Sequence, residues 1–369
     1  MDISKPMHIK GKYNTAAVMT NSLEQQTQDQ IQSFLNEPYT KDEQVVIMPD
    51  AHAGKGAVIG TTMTIKGGQI CPNLVGVDIG CGIHLAQVSM PNRPTKKDLK
   101  KLDQFIKQHI PHGTGVNRKP IKTDINFDNL TFQPKNMNRI RQSLGSLGGG
   151  NHFIELSQLT DGYGLMVHSG SRGLGFQVAN YHQRIAEQAT GHLVQHKDLA
   201  YLEGELLENY LNDMRIAQHY AAINRSIMLE RIADHMDWQL ETIVDSIHNY
   251  IGEDGVLRKG ATDARTGQLV IIPINMRDGA ILGRGLGNPA WNNSAPHGAG
   301  RLMSRTAARQ AIKLQTFQEQ MLDVYSTSVS KKTLDEAPDA YKPLAHILEN
   351  LHETVEVLDT LTPILNFKA

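Results

Sequence analysis

The run Gly76–Gly82, GVDIGCG, constrains the fold more than any other stretch of this chain. A glycine costs about 0.5–1 kcal/mol inside a helix or strand, so a run this rich in them reads as a turn. That turn carries a carboxylate, Asp78, and a thiol, Cys81, three residues apart, and the chain has only two cysteines. Three histidines stand in equally unusual places: His152 after a triple glycine and Asn151, His168 at the head of HSGSRG, and His248 in IHNY. Carboxylate, thiolate and imidazole form the donor set of a transition-metal site. Glycine-rich turns let backbone approach a phosphate closely. A metal beside a phosphate points to phosphoryl or nucleotidyl transfer. The second cysteine, Cys71, lacks such neighbours and reads as a packed thiol, the usual state of a free cysteine.

A chain of 369 residues can bury a large core, and 40% hydrophobic with 20% charged residues is ordinary for a soluble enzyme. No apolar run reaches the 18 or so residues that span a bilayer, and MDISKPMHIKGKY has no signal-peptide core. Two cysteines build no disulfide framework, so the cytoplasm is the expected compartment. A net charge of −1 excludes a globally basic nucleic-acid coat but leaves room for local cationic patches.

The periodicity predicts helices over Ser22–Asn36, Thr95–Ile110, Gly173–Thr190, Asp198–His235, Gly298–Leu314 and Tyr341–Leu358. It predicts strands over Val45–Met48, Ala57–Ile65, Ile83–Val88, His152–Leu156, Tyr163–His168, Ile243–Ile251, Leu269–Ile274 and Ala280–Arg284. Pro111–Pro134 reads as loop. With no linker tract and no internal repeat, the expectation is one α+β domain over residues 1–369, with a helical insertion at about 198–235.

Two further segments suit anions. HSGSRG leads from His168 straight into a helix, where backbone N–H groups and Arg172 would face a phosphate; the plain alternative is a helix capped by Ser171. In HGAGR, His297 and two glycines open a predicted helix that sets Arg301 and Arg305 four residues apart on one face. Two guanidiniums so placed repel unless an anion lies between them. His297 could there be a ligand, an acid/base group or a nucleophile. RKGATDAR, Arg258–Arg265, reads as a cationic loop. His182, His192, His219 and His235 fall in helical stretches and read as ordinary polar residues. GRGLG (Gly283–Gly287) precedes no helix, and AGKG (Ala53–Gly56) lacks Walker spacing, so there is no P-loop.

Taken together, MPDAHAGKG, VGVDIGCG, LGGGNHFIE, HSGSRGLG, HNY, RKGA, HGAGRLMSR and the late APDAYK resemble the RtcB family of GTP-dependent RNA ligases, from about Val45 to Lys368. The resemblance implies a fold with a central β-sandwich-like core and surrounding helices. It also implies the joining of RNA 3′-phosphate or 2′,3′-cyclic phosphate ends to 5′-hydroxyl ends, with two Mn²⁺ ions, GTP and a covalent histidine–GMP intermediate. On that resemblance Cys81 is shared between the two metals, His168 and His248 complete one shell, and Asp78 with His152 the other. His297 matches the histidine that takes GMP, within a cradle of Gly298, Ala299, Gly300 and Arg301. Asn151, Glu155, Tyr341 and Lys368 match residues that hold the guanosine nucleotide, and Arg172, Arg301 and Arg305 would hold phosphates of nucleotide or RNA.

The chain departs from the pattern at Pro273-Ile274-Asn275-Met276-Arg277, where the family commonly has PGSMG, and at Ser294-Ala295-Pro296 before HGAGR. It reads as a divergent, repair-type member. The competing readings are a metal-dependent RNA-end phosphoesterase and a non-catalytic RNA-end binder. A nucleotide-carrying HGAGR and a terminal lysine argue against the first, and a complete set of metal-ligand candidates against the second. With net charge near zero, RNA affinity is expected to come from Arg172, Arg258, Lys259, Arg301 and Arg305.

Overall fold

The computed structural model describes residues 6–369 except 22, 55 and 91; Ser22, the expected start of the first helix, and Lys55 of AGKG lie outside them. The fold is mixed α/β, with two main sheets. The six-stranded sheet runs in the order Met7–Lys10, Thr15–Val18, Val45–His52, Ile59–Thr64, Val256–Lys259, Asn249–Ile251. Its one parallel pair joins Thr15–Val18 to Val45–His52. The seven-stranded sheet is antiparallel throughout, in the order Leu240–Ile247, Gly82–Val88, Tyr163–Ser169, Phe153–Gln158, Val355–Lys368, Gly279–Gly285, Leu269–Asn275. Val45–Met48 and Leu165–Val167 are buried on both faces, which accounts for their unbroken apolar sequence.

The chain crosses from one sheet to the other at His248. The expected single strand Ile243–Ile251 is two strands, Leu240–Ile247 in the larger sheet and Asn249–Ile251 in the smaller, with His248 alone between them. Its backbone N–H donates to the Cys81 carbonyl at 2.9 Å, and its own carbonyl accepts from Gly260 at 2.7 Å. Both sheets therefore meet at the metal-ligand candidates.

The helix Gly204–Met236 packs on Arg172–Thr190 and on the strands Gly82–Val88 and Tyr163–Ser169. It buries residues around most of its circumference, Tyr210, Met214, Ala217, Tyr220 and Ala221 among them. Among its fully buried polar residues, Arg225 and Asn224 fix the neighbouring turns. Arg225 forms a two-pronged pair with Asp245 (2.7 and 2.8 Å) and donates to the Gly80 and Ser169 carbonyls at 2.8 and 2.9 Å. Asn224 donates to the Ser146 carbonyl and to Ser169 Oγ, each at 3.1 Å. One helical turn thus ties down the loops that carry Cys81, His152 and His168.

Three expectations are overturned. Gly298–Leu314 is not one helix: residues 298–304 are irregular, and only Arg305–Ala311 and Leu314–Gln320 are helical. Gly300 has φ +70°, and Arg301 forms a β-bridge with Tyr341, so neither belongs to a helix. Tyr341–Leu358 is helical only over Leu344–Leu351. From Val355 a 14-residue strand runs to Lys368 between Phe153–Gln158 and Gly279–Gly285. Pro363 masks that strand in the sequence, and it sits where the register shifts by a bulge. Finally, RKGATDAR is no cationic surface loop. Arg258 and Lys259 lie in the strand Val256–Lys259 and are buried, Arg258 fully, paired with Asp254 at 2.7 Å; Arg265 is exposed and pairs with Asp263.

Candidate metal and nucleotide site

The GVDIGCG turn leads into Gly82–Val88, and Cys81 sits at its end, buried, close to His168 on Tyr163–Ser169 and to His152, which immediately precedes the paired strand Phe153–Gln158. Cys81 Sγ lies 3.3 Å from His168 Nε2 and 3.5 Å from His152 Nε2. The three donor atoms fall within 4.8 Å of one another, which suits one ion bound by all three. Asp78 Oδ2 is 3.2 Å from His152 Nε2, and the His248 ring stands 5.3 Å, centre to centre, from His168. All five metal-ligand candidates are thus brought together. The remaining ring nitrogens are held by backbone: His152 Nδ1 is 2.8 Å from the Leu147 carbonyl and His168 Nδ1 3.2 Å from that of Asn151. At His168 an Nδ1–H donating to the Asn151 carbonyl leaves Nε2 as the lone-pair donor toward the thiol, the outer support that imidazole ligands need, while His152 Nε2 also faces the Asp78 carboxylate.

Electrostatics agree with ligand duty. Burial pushes the Asp78 carboxyl up, but the hydrogen bond and charge of His152 outweigh it and hold Asp78 at about 2. Burial keeps His168 and His248 well below the usual imidazole range, so both are neutral and able to coordinate. Burial and then the neighbouring Asp78 charge push the Cys81 thiol up, so it needs a cation to become a thiolate.

The cluster forms one end of a cavity of about 410 Å³ whose lining includes His297, Asn151, Glu155, Tyr341 and Lys368. His297 stands 5.0 Å from His248, ring to ring. Its Nδ1 lies 2.8 Å from Oδ2 of buried Asp50, close without completing an aligned hydrogen bond. Glycine is required beside it: a Cβ on Gly260 would reach 3.2 Å from His297 Cε1, and Gly260 also has φ +63°. The backbone of Gly298, Ala299 and Gly300 forms the adjoining wall, anchored by Ala299 N–H on the Pro273 carbonyl at 3.0 Å.

At the other end of the cavity the C-terminal strand delivers Asn366 and Lys368. Glu155 accepts from Ser157 Oγ at 2.7 Å and Asn366 Nδ2 at 2.6 Å, and burial raises it to about 7 against those bonds. Lys368 ion-pairs with Glu336, and its Nζ lies 3.5 Å from the Asn151 carbonyl. Tyr341 OH donates to the same Glu336 at 2.7 Å. Lys259 also lines the cavity, its Nζ donating to the Asn73 carbonyl at 2.9 Å, and burial lowers it to about 8.

The arginines are placed differently from expectation. Arg301 donates to Tyr341 OH (3.1 Å) and to the Asp335 and Met303 carbonyls, while Arg305 pairs with Asp335 (2.9 Å) and Glu336 (2.8 Å). The anion that keeps the two guanidiniums together is the protein's own Asp335–Glu336 pair. Ser171 does not cap the helix Arg172–Thr190, and Arg172 starts it at φ +54°. The Arg172 guanidinium folds back over Gly148, where a Cβ would stand 1.8 Å from it, and reaches 3.5 Å from His152 Nδ1. It shares the wall of a second cavity, about 940 Å³, with Lys135, Arg139, Arg184 and the exposed ring of Phe176.

A family model described as "tRNA-splicing ligase RtcB" matches residues 30–132 and 122–369. The chain belongs to the RtcB family. It is 34% identical to the RNA-splicing ligase RtcB of Escherichia coli K12, over 88% of this chain and 90% of that one. It is 30% identical to the RNA-splicing ligase RtcB2 of Escherichia coli ATCC 25922, over 88% of each chain. The tRNA-splicing ligase RtcB of Thermococcus kodakarensis is 27% identical, over 84% and 83% respectively.

Sequence reasoning missed Asp50, Asn366, Glu336 and the Asn224–Arg225 anchor. Asp50 was visible inside MPDAHAGKG, but nothing in the sequence says which histidine it faces. Among the described residues no helix is long and apolar enough to cross a membrane.

Proposed function

We propose that this chain is a single-domain RNA ligase that joins 3′-phosphate or 2′,3′-cyclic phosphate ends to 5′-hydroxyl ends at the expense of GTP. One observation carries the reading: a histidine backed by a buried carboxylate opens into the same cavity as a Cys/His/Asp cluster. With Asp50 2.8 Å from Nδ1 to favour the ring proton there, the lone pair of His297 would stand on Nε2, within the cavity that His297 lines. Nε2 attacks the α-phosphorus of GTP; the new P–N bond replaces the P–O bond to pyrophosphate, which leaves with that electron pair. The RNA 3′-phosphate oxygen then displaces His297 to give a 3′-to-5′ diphosphate link to guanosine. The 5′-hydroxyl displaces GMP from it and loses its proton. A cyclic phosphate is first opened by water to the 3′-monophosphate.

Asp78, Cys81, His152, His168 and His248 would hold two Mn²⁺ ions, with Cys81 shared. Bound there, divalent ions would neutralise phosphate oxygens and lower the pKa of water. The thiolate favours Zn²⁺ in affinity, since Mn²⁺ is lowest in the Irving–Williams order, so zinc in purified protein would not exclude manganese as the working ion. The nucleotide would lie along Gly298–Arg301, with its base toward Glu155, Tyr341 and Lys368. The second cavity, with Arg139, Arg172, Arg184 and Lys135 beside exposed Phe176, suits an unpaired RNA strand, because cations take phosphates and an open ring takes a base. The cytoplasm is the proposed compartment.

The test is incubation with GTP labelled at the α-phosphate and Mn²⁺, followed by a denaturing gel. Labelled protein that is stable to alkali and labile to acid is expected from the native chain, and none from His297→Ala. A label that persists in His297→Ala would overturn the assignment.

A further inference from the structure

The helix Lys96–His109 turns five lysines outward. Lys96, Lys97, Lys100, Lys101 and Lys107 are all exposed, and at about 100° per residue they fall within roughly 140° of the helix circumference. Leu99, Leu102 and Ile106 occupy the opposite side and are sealed on Met228, Leu229 and Ile232. The two carboxylates on the helix are already engaged. Asp98 closes the capping box with Thr95, and Asp103 is buried under Thr327 Oγ1 (2.6 Å) and Lys107 (3.2 Å). In a chain of net charge −1, this face concentrates positive charge.

Two further observations separate it from an ordinary solvated face. Along its edge runs an aromatic stack: the Phe105 ring lies 4.0 Å from His235, nearly parallel at 9°, and 4.8 Å from His109, and both histidines are exposed. Its C-terminal end also adjoins the cavity wall. After Ile110, the Pro111 carbonyl accepts from Leu147, His112 bridges to Gly148, and Gly113 N–H donates to the Gly148 carbonyl at 2.8 Å. Gly113, Thr114, Gly115 and Val116 then form part of the second cavity beside Arg172. A strand that leaves that cavity on this side runs onto the lysine face.

We propose that this face binds the sugar–phosphate backbone of the RNA substrate beyond its reacting end; the proposal rests on the ligase reading. From Lys100 to Ile110 the helix axis spans roughly 15 Å. At about 3.4 Å per stacked nucleotide, contact with Lys100, Lys97 and Lys96 begins some four nucleotides from the cavity, while Lys107, paired with Asp103, lies nearer. Substrates longer than that gain affinity from these three lysines, and shorter ones do not reach them.

The experiment compares the full chain with the triple variant Lys96→Gln, Lys97→Gln, Lys100→Gln, whose side chains are exposed and outside the capping box. Binding of a labelled 20-nucleotide single-stranded RNA and of a 4-nucleotide one, each with a 3′-phosphate, is measured across a salt series. For the long RNA, affinity should fall roughly tenfold at 0.1 M salt and the salt slope should drop by about 2, at about 0.7 per lost phosphate contact. The short RNA should bind alike to both proteins, and His297 labelling should be equal. Unchanged affinity and slope for the long RNA overturn the proposal, as does a face that binds poly-glutamate while long RNA is unaffected, which would mark it for an acidic protein. A native chain that neither binds RNA nor labels with GTP would instead bring down the ligase reading, a failure the series tells apart.

Discussion

Replacing Asp50 by Asn should silence His297 without loosening the fold. Asp50 is buried, lies 2.8 Å from His297 Nδ1, and has no aligned hydrogen-bond donor on either carboxylate oxygen. The carboxylate can only accept, so it keeps the ring proton on Nδ1 and the lone pair on Nε2. An asparagine amide can donate to Nδ1 instead, which moves the proton to Nε2 and removes the nucleophile. In a serine-protease triad, the same carboxylate-to-amide change costs about 10⁴-fold through the wrong tautomer. The contact here is not an aligned bond, so a loss of about 10² to 10⁴ in the first-order labelling rate is expected, about 3–5.5 kcal/mol of barrier at 1.36 per tenfold. The assay is single-turnover labelling with α-labelled GTP and saturating Mn²⁺. Joining of RNA that already carries the activated 3′ end should stay within a few-fold, because that step does not use His297. The melting temperature should hold or rise, since a buried, poorly satisfied charge is removed. Labelling by Asp50→Asn within threefold of the native rate would refute the reasoning.

Other outcomes follow from the same geometry. Cys81→Ala should abolish metal uptake, GTP labelling and RNA joining together while the melting temperature changes little; elemental analysis that finds full metal occupancy would remove Cys81 from the site. Arg258→Ala should lower stability by about 3–5 kcal/mol, because it leaves Asp254 without the buried guanidinium that neutralises it, and urea unfolding measures it. An unchanged urea midpoint would return Arg258 to the surface. Glu155 has a folded pKa of about 7 against 4.5 for an ordinary glutamate, so its stabilising contribution is complete below 4.5 and is lost as pH rises through 7. Denaturation midpoints of native protein minus Glu155→Gln should therefore fall between pH 4.5 and 7, and a flat difference would show that Glu155 does not titrate there.

The candidate site of this chain was more legible than its architecture. Asp78, Cys81, His152, His168 and His248 stood out because each is an unusual residue beside glycine or at a strand end, a local signal that sequence carries directly. That they converge depends on the crossing at His248 and on Arg225, and both are long-range: the guanidinium spans from Asp245 to the carbonyls of Gly80 and Ser169. The misread segments share one cause. Arg258 and Lys259 look like solvated cations because nothing local shows the carboxylate of Asp254 or the Asn73 carbonyl that receives them in the interior. Arg301 and Arg305 suggested an external anion, whereas Asp335 and Glu336 lie some thirty residues away in sequence and supply it. Leu344, Ile347, Leu351 and Val355 keep a helical period that tertiary pairing stops after Leu351, where the chain joins the Gly279–Gly285 strand instead. That strand is the one that carries Asn366 to Glu155 and Lys368 to Glu336. The end of the cavity proposed for the nucleotide is therefore built from long-range pairings, and the end proposed for the metals from turns that announce themselves. Substitutions in the C-terminal strand should accordingly alter nucleotide use before they alter metal content.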